Sequence, residues 1–230
     1  MLRDAWKSLF GRQEVQPLMA STPPAGASHK PAPVPEPFVR SSLGLEQFFA
    51  NIQVREGMRI LDLSGASQAN INFVLQFGHH LYCEDLITTM TAIFGSGEEM
   101  LTRQSDEDRA AEFLAETFAN LQGNFDGALI WDTLQFLQQP LLDHVVGHLH
   151  RLMEPGALLF AFFPADEKMR SAMMNTYRIE SSKVMRVIPR GRQPLPMVHT
   201  SRSLERLFSD FSSVKFFLTR DQYRELLVRR

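Results

Sequence analysis

The stretch from Met58 to Leu86, MRILDLSGASQANINFVLQFGHHLYCEDL, limits the possible folds of this chain more than any other. It opens with an apolar run closed by an acid (Met58, Ile60, Leu61, Asp62, Leu63), the pattern of a buried strand. A loop of small residues follows, Ser64-Gly65-Ala66-Ser67. Ile71, Val74, Leu75 and Phe77 then recur at helical spacing, and Gly78 stops that helix. A second short apolar run, Leu81-Tyr82-Cys83, ends at Glu84-Asp85. Strand, turn, helix, turn, strand in about thirty residues predicts a βαβ unit.

Such a unit suits a nucleoside. Small residues after the first strand let backbone N–H groups approach a ligand closely. An acid at the tip of the next strand, about twenty residues on, accepts hydrogen bonds from ribose hydroxyls. Asp85 stands in that place.

These residues resemble the opening motifs of the class I S-adenosylmethionine-dependent methyltransferases: an acid, Gly-x-Gly-x-Gly, a helix, a glycine, and a second strand ending in Asp. Asp62, Gly78 and Asp85 match. The three glycine positions are held by Ser64, Ala66 and Gln68, with Gly65 between them. Two later stretches resemble the same family. FDGALIWDTLQFL (Phe125 to Leu137) is similar to its fourth strand, and LHRLMEPGALLFAFF (from Leu149) to the entry of its fifth. The resemblance implies an α/β fold from about residue 43 onward. Its seven-stranded, mostly parallel sheet would have helices on both faces and a closing antiparallel hairpin at Ser213–Leu218 and Tyr223–Val228. It implies S-adenosylmethionine as cofactor, held by the Ser64-Gly65-Ala66 backbone, by Asp85 at the ribose and by Leu86 against adenine. Glu116 and Thr117, at the end of an expected third strand over 112–115, would meet the adenine amino group. Trp131 and Asp132 would flank the active-site mouth. No catalytic base is assigned; Asp132, His199 and the His79-His80 pair are candidates.

Residues 1–40 read as a tail: a short amphipathic segment over 1–12, then a Pro/Ala-rich linker with almost nothing to bury, expected to be disordered. The segment, with Leu2, Trp6, Leu9 and Phe10 on one face, is either a weak surface or protein docking peptide or a frayed start. Residues 41–230 form the expected methyltransferase-like domain. A net charge of −2 gives no reason to expect nucleic acid. The single cysteine, Cys83, excludes an internal disulfide and a cysteine-based zinc site. His144 and His148 stand at i, i+4 with no third ligand in view, so no metal is expected. With no apolar run long enough to span a membrane and no signal-like start, the cytoplasm is the expected location.

Between 164 and 200 the pattern is least regular. Arg170, Arg178, Lys183, Arg186, Arg190 and Arg192 lie among Met173, Met174, Tyr177 and Met185. The segment reads either as a substrate cover, facing an anionic group, or as a basic surface hairpin. Two functions stay open. One is methyl transfer to a small-molecule or peptide acceptor. The other is an inactive methyltransferase fold kept as a binding or scaffold module, motivated by the substituted glycine loop. A nicotinamide-dependent dehydrogenase would require Gly-x-Gly-x-x-Gly, and this loop supplies one glycine.

Overall fold

The computed structural model describes residues 34–219 and 221–230, so the amphipathic segment at 1–12 and most of the linker lie outside the described residues. The compact unit starts at Val34. In chain order its elements are β1 (Phe38–Ser41), α1 (Leu43–Ile52), β2 (Arg59–Asp62), α2 (Gln68–Leu75), β3 (His80–Cys83), α3 (Leu86–Phe94), α4 (Glu98–Arg103) and α5 (Glu107–Phe118). There follow β4 (Phe125–Trp131), a 3₁₀ turn (Thr133–Phe136), α6 (Leu141–Leu152), β5 (Met153–Pro164), β6 (Ser171–Ser181), β7 (Val184–Pro194), α7 (Ser201–Leu207), β8 (Ser213–Leu218) and β9 (Tyr223–Arg229).

The main sheet has the order β3-β2-β4-β5-β9-β8. Pairing is parallel from β3 through β5, and β9 runs antiparallel to both β5 and β8. This is the class I methyltransferase-like layout with six strands rather than seven. The expected strand at 112–115 does not exist, because those residues lie within α5. Asp106 caps that helix through Arg109 N–H, Glu107 and Asp108 occupy its first turn, and Ala110, Phe113 and Thr117 are its buried positions. Acids near a helix N-terminus and apolar residues three and four apart favour helix over strand. β3 is therefore the edge of the sheet.

Residues Ala157–Phe163 of β5 are all buried, so both faces of the central sheet are covered. On one face, Leu45, Phe48, Phe49 and Ile52 of α1 join Ile60, Leu129, Leu158, Phe160 and Phe162 in one core. Ser42 caps α1 by accepting from Leu45 N–H at 2.9 Å. Gly127 lets Phe48 lie directly on β4, since a Cβ there would sit 2.9 Å from its ring.

The 164–200 region is ordered into a second sheet, β1-β7-β6, all antiparallel. β1, whose Phe38, Val39 and Arg40 were read from sequence as linker, supplies one edge of it. Along β6 and β7 the buried residues alternate: Asn175, Tyr177 and Ile179, then Met185, Val187 and Pro189. Tyr177, Ile179, Met185 and Val187 join the core above, so this sheet caps the main one. Near the C-terminus, Thr200 caps α7, accepting from Ser203 N–H.

Candidate functional site

Ligands of open α/β sheets bind outside the carboxyl ends of the strands. At the ends of β2 and β3 lies a cavity of about 380 Å³. One wall is the loop Ser64 to Ala69 with Asp85; the other is Thr176, Tyr177, Arg178 and Arg190 of the second sheet. The loop is held to the tip of β3 by a bridge between Ser64 and Asp85 and by Gly65 N–H donating to Glu84 O at 3.1 Å. Gly65 has φ +86°, and a Cβ on it would lie 2.8 Å from Asp85 Oδ2. Glycine is thus required both by backbone conformation and by the close approach of the carboxylate. Asp85 Oδ1 caps α3 by accepting from Thr88 N–H at 2.9 Å, while Oδ2 lies over Gly65. Ser67 makes no side-chain cap on α2, whose first turn holds no acid. Its opening N–H groups therefore lack a side-chain acceptor.

One strand over, the crevice between β2 and β4 is filled by the protein itself. Asp62 is fully buried at the tip of β2. Its Oδ1 accepts from Ser64 N–H (3.0 Å), Ser64 Oγ (2.8 Å) and Trp131 Nε1 (2.7 Å); its Oδ2 accepts from Asn70 Nδ2 (2.7 Å). Burial pushes this carboxyl above its ordinary range, and the four donors oppose that shift. Trp131 sits at φ +61°, a region that a bulky residue enters only when its surroundings hold it there. Besides the bond to Asp62, it is clamped by a parallel stack on Tyr177, with centroids 4.7 Å apart. Asn70 ties the second sheet down: Nδ2 donates to Tyr177 O at 3.1 Å and Oδ1 accepts from Ile179 N–H at 2.8 Å.

A buried polar group lies at the tip of β4. Asp132 is fully buried; Oδ2 accepts from Asn175 Nδ2 at 2.7 Å and Oδ1 has no hydrogen-bond partner. Burial pushes its carboxyl up to about 7, against the opposing hydrogen bond from Asn175. Burial likewise pushes Tyr223 up to about 12 and lowers His199. Arg40 Nη1 pairs with Asp221 at 2.8 Å and its guanidinium lies over the Phe162 ring, which carries a cation into this interior.

Of the residues expected at the site, the structure brings Ser64, Gly65, Ala66 and Asp85 together around one cavity. Leu86 does not line it; it is fully buried at the start of α3. Trp131 does not line it either, being packed into the β2/β4 crevice. Glu116 is exposed on α5 and Thr117 is buried on the same helix, so neither occupies a strand tip. His79 is buried, with its ordinary value lowered by desolvation, and does not line the cavity. Cys83 is half-buried on the edge strand, and desolvation pushes its thiol up to about 11. His144 and His148 each direct Nδ1 at the carbonyl four residues earlier, at 2.9 and 3.0 Å. Sequence reasoning missed Asn70, the residue that binds loop, helix and second sheet together. Its signal was an asparagine at an inward position of an otherwise apolar helical face. The wall formed by Tyr177, Arg178 and Arg190 was legible only as a basic segment of open meaning.

No family model and no curated protein matches the chain. Among solved structures it is similar to the Burkholderia thailandensis 1,6-didemethyltoxoflavin-N1-methyltransferase, crystallised with 1,6-didemethyltoxoflavin and S-adenosylhomocysteine. The identity is 15%, covering 81% of this chain and 76% of that one, at a TM-score of 0.44. It is also similar to the magnesium protoporphyrin IX methyltransferase of Synechocystis PCC 6803 with bound S-adenosylmethionine (16% identity, 81% and 76% covered, TM-score 0.43). A third is an S-adenosylmethionine-dependent methyltransferase of Methanosarcina mazei (15% identity, 79% and 95% covered, TM-score 0.43). At this level of similarity no residue role is transferred from any of them.

Proposed function

We propose that the chain binds S-adenosylmethionine in the cavity over β2 and β3 and transfers its methyl group to a small-molecule or peptide acceptor. The observation that carries this reading is Asp85. It stands at a strand tip with Oδ2 directed over a glycine-dependent loop, beside a cavity of about 380 Å³, within the range of small-molecule sites. Its carboxylate suits two ribose hydroxyls, and the Ser64-Gly65-Ala66 backbone suits close packing of the nucleoside. Methyl transfer is a direct displacement, so the protein's work is chiefly positioning. Asp132 is fully buried and does not line the cavity, so no catalytic base is assigned.

A second reading, a binding module without catalysis, is favoured by a different observation. Trp131 and Tyr177 fill the β2/β4 crevice beside the cavity, the space an acceptor would need.

The test is thermal unfolding with S-adenosylhomocysteine. At about 100 times its Kd a ligand stabilises by about 2.7 kcal/mol, which at this size raises Tm by roughly 5–11 °C. Asp85→Asn is the informative variant, because asparagine still caps α3 while losing the charge that accepts both hydroxyls. The shift is expected in the wild type and lost in the variant. An equal shift in both would refute Asp85 as the ribose partner. A shift from adenosine as large as that from S-adenosylmethionine, with no methylated product, would favour the binding module.

A further inference from the structure

Two of the cavity's walls carry opposite demands. Asp85 asks for hydroxyl or other donors. Across from it stand Arg178 and Arg190, both exposed, and neither has an ion pair or hydrogen bond among the described residues. The other described arginines of this sheet are occupied. Arg40 pairs with Asp221, Arg186 with Glu180, and Arg192 donates to Ser171. Glu180, two residues along β6 from Arg178, is taken by Arg186, and Asp85 has one oxygen committed to Thr88. The cavity lining therefore carries two arginines against one aspartate.

The two arginines lie on neighbouring strands. Arg178 stands opposite Arg186 in the ladder, whereas Arg190 falls at the irregularity between the Asn175–Pro189 and Met174–Gly191 pairs, so they enter the cavity lining from separate points along the sheet. Asn70 of α2 fastens β6 on either side of Arg178, through Tyr177 O and Ile179 N–H. Two cations that face one cavity without ion pairs of their own leave its lining net positive, which an anionic group on the ligand offsets.

We propose that Arg178 and Arg190 form an anion subsite of this cavity, so that its ligand carries a carboxylate or a phosphate in addition to the hydroxyls that Asp85 accepts. This rests on the nucleoside reading above. A planar guanidinium pair presents parallel N–H donors that match either group. For S-adenosylmethionine the anion is its own carboxylate; for a nucleotide or a phosphorylated acceptor it is a phosphate.

The experiment compares Kd values by calorimetry for 5′-methylthioadenosine, S-adenosylhomocysteine, adenosine and adenosine 5′-monophosphate. Wild type and the Arg178→Ala/Arg190→Ala double variant are measured, with inorganic phosphate as a nucleoside-free probe. Because both side chains are exposed and screened, the expected gain from the anion is roughly tenfold in Kd. S-adenosylhomocysteine preferred over 5′-methylthioadenosine, with the preference lost in the double variant, would support the subsite and assign it to the donor's carboxylate. The same pattern for the monophosphate over adenosine would support it and assign it to phosphate. Nucleoside binding with neither preference, or with a preference that survives in the double variant, would overturn the subsite and leave the nucleoside reading standing. If no nucleoside binds but phosphate does, and only with the arginines present, the nucleoside reading fails and the anion subsite stands. Binding of none of the probes would overturn both.

Discussion

The carboxyl edge of the main sheet presents two neighbouring regions built from the same strands, and they are opposites. Over β2 and β3 the loop, Asp85 and the second sheet stand apart around open space. Over β2 and β4 an indole, a phenol and a fully hydrogen-bonded carboxylate close the gap like a piece of core. Both regions share the loop that begins at Ser64, so the difference lies in what the second sheet brings to each. Arg178 and Arg190 stand back from the first region, whereas Tyr177 reaches into the second. One sheet edge thus carries an open half and a half filled by the protein's own side chains.

The largest test of that contrast is Trp131→Ala. Removing a fully buried indole is expected to cost about 3–5 kcal/mol, read as a lower denaturation midpoint. If the indole fills a donor subsite, the surviving fold should also gain affinity for S-adenosylhomocysteine relative to 5′-methylthioadenosine. Unchanged stability would mean that the crevice is not core at all. Gly65→Ala tests the other region. Its φ of +86° and the 2.8 Å approach to Asp85 predict a loss of about 1–2 kcal/mol and abolished nucleoside binding. Retained binding would show that the loop does not touch the ligand. The smallest effect is a matter of pH. Asp132 holds its proton up to about 7 when folded, against 3.8 ordinarily. Its contribution to stability is therefore full below the lower value and is lost as pH rises through the upper one. His79 and His199, both lowered by burial, act in the opposite sense, weakening the fold as pH falls below about 6.5. Asp132→Asn should flatten the decline between roughly pH 4 and 7 in urea-melt profiles, by up to one proton per molecule. An unaltered profile would show that this carboxyl does not titrate in that window.

Much of the main sheet was legible in the sequence because its signals are local. β2, the small-residue loop, α2 and β3 lie within one continuous stretch, and β4, α6, β5 and the β8–β9 hairpin announce themselves as apolar runs between turns. The expected third strand failed for a local reason too. A run as short as Phe113-Leu114-Ala115 fits either period, and Asp106 with its following acids was the better clue. The site divides in the same way. Ser64, Gly65 and Asp85 line one cavity as expected from sequence, because the loop and the strand tip belong to one continuous βαβ unit. Trp131 was placed at the right strand end, but its partner Asp62 is 69 positions away, and nothing nearby in sequence reveals that the ring turns inward. Asn70 joins Ile179 across 109 positions, beyond the reach of any periodicity.

The second sheet has a bearing on how the chain assembles. β1 pairs Phe38 with Val187 and Ser41 with Val184, so its ladder closes a loop spanning most of the described chain. Contacts this distant in sequence come late and slowly, since the intervening chain must lose its freedom before they form. The βαβ unit at 58–86, by contrast, folds from near neighbours. A growing chain therefore acquires Asp85 and its loop long before it can raise the arginine wall opposite them. Until Arg190 has been synthesised and its strand has docked, the cavity does not exist.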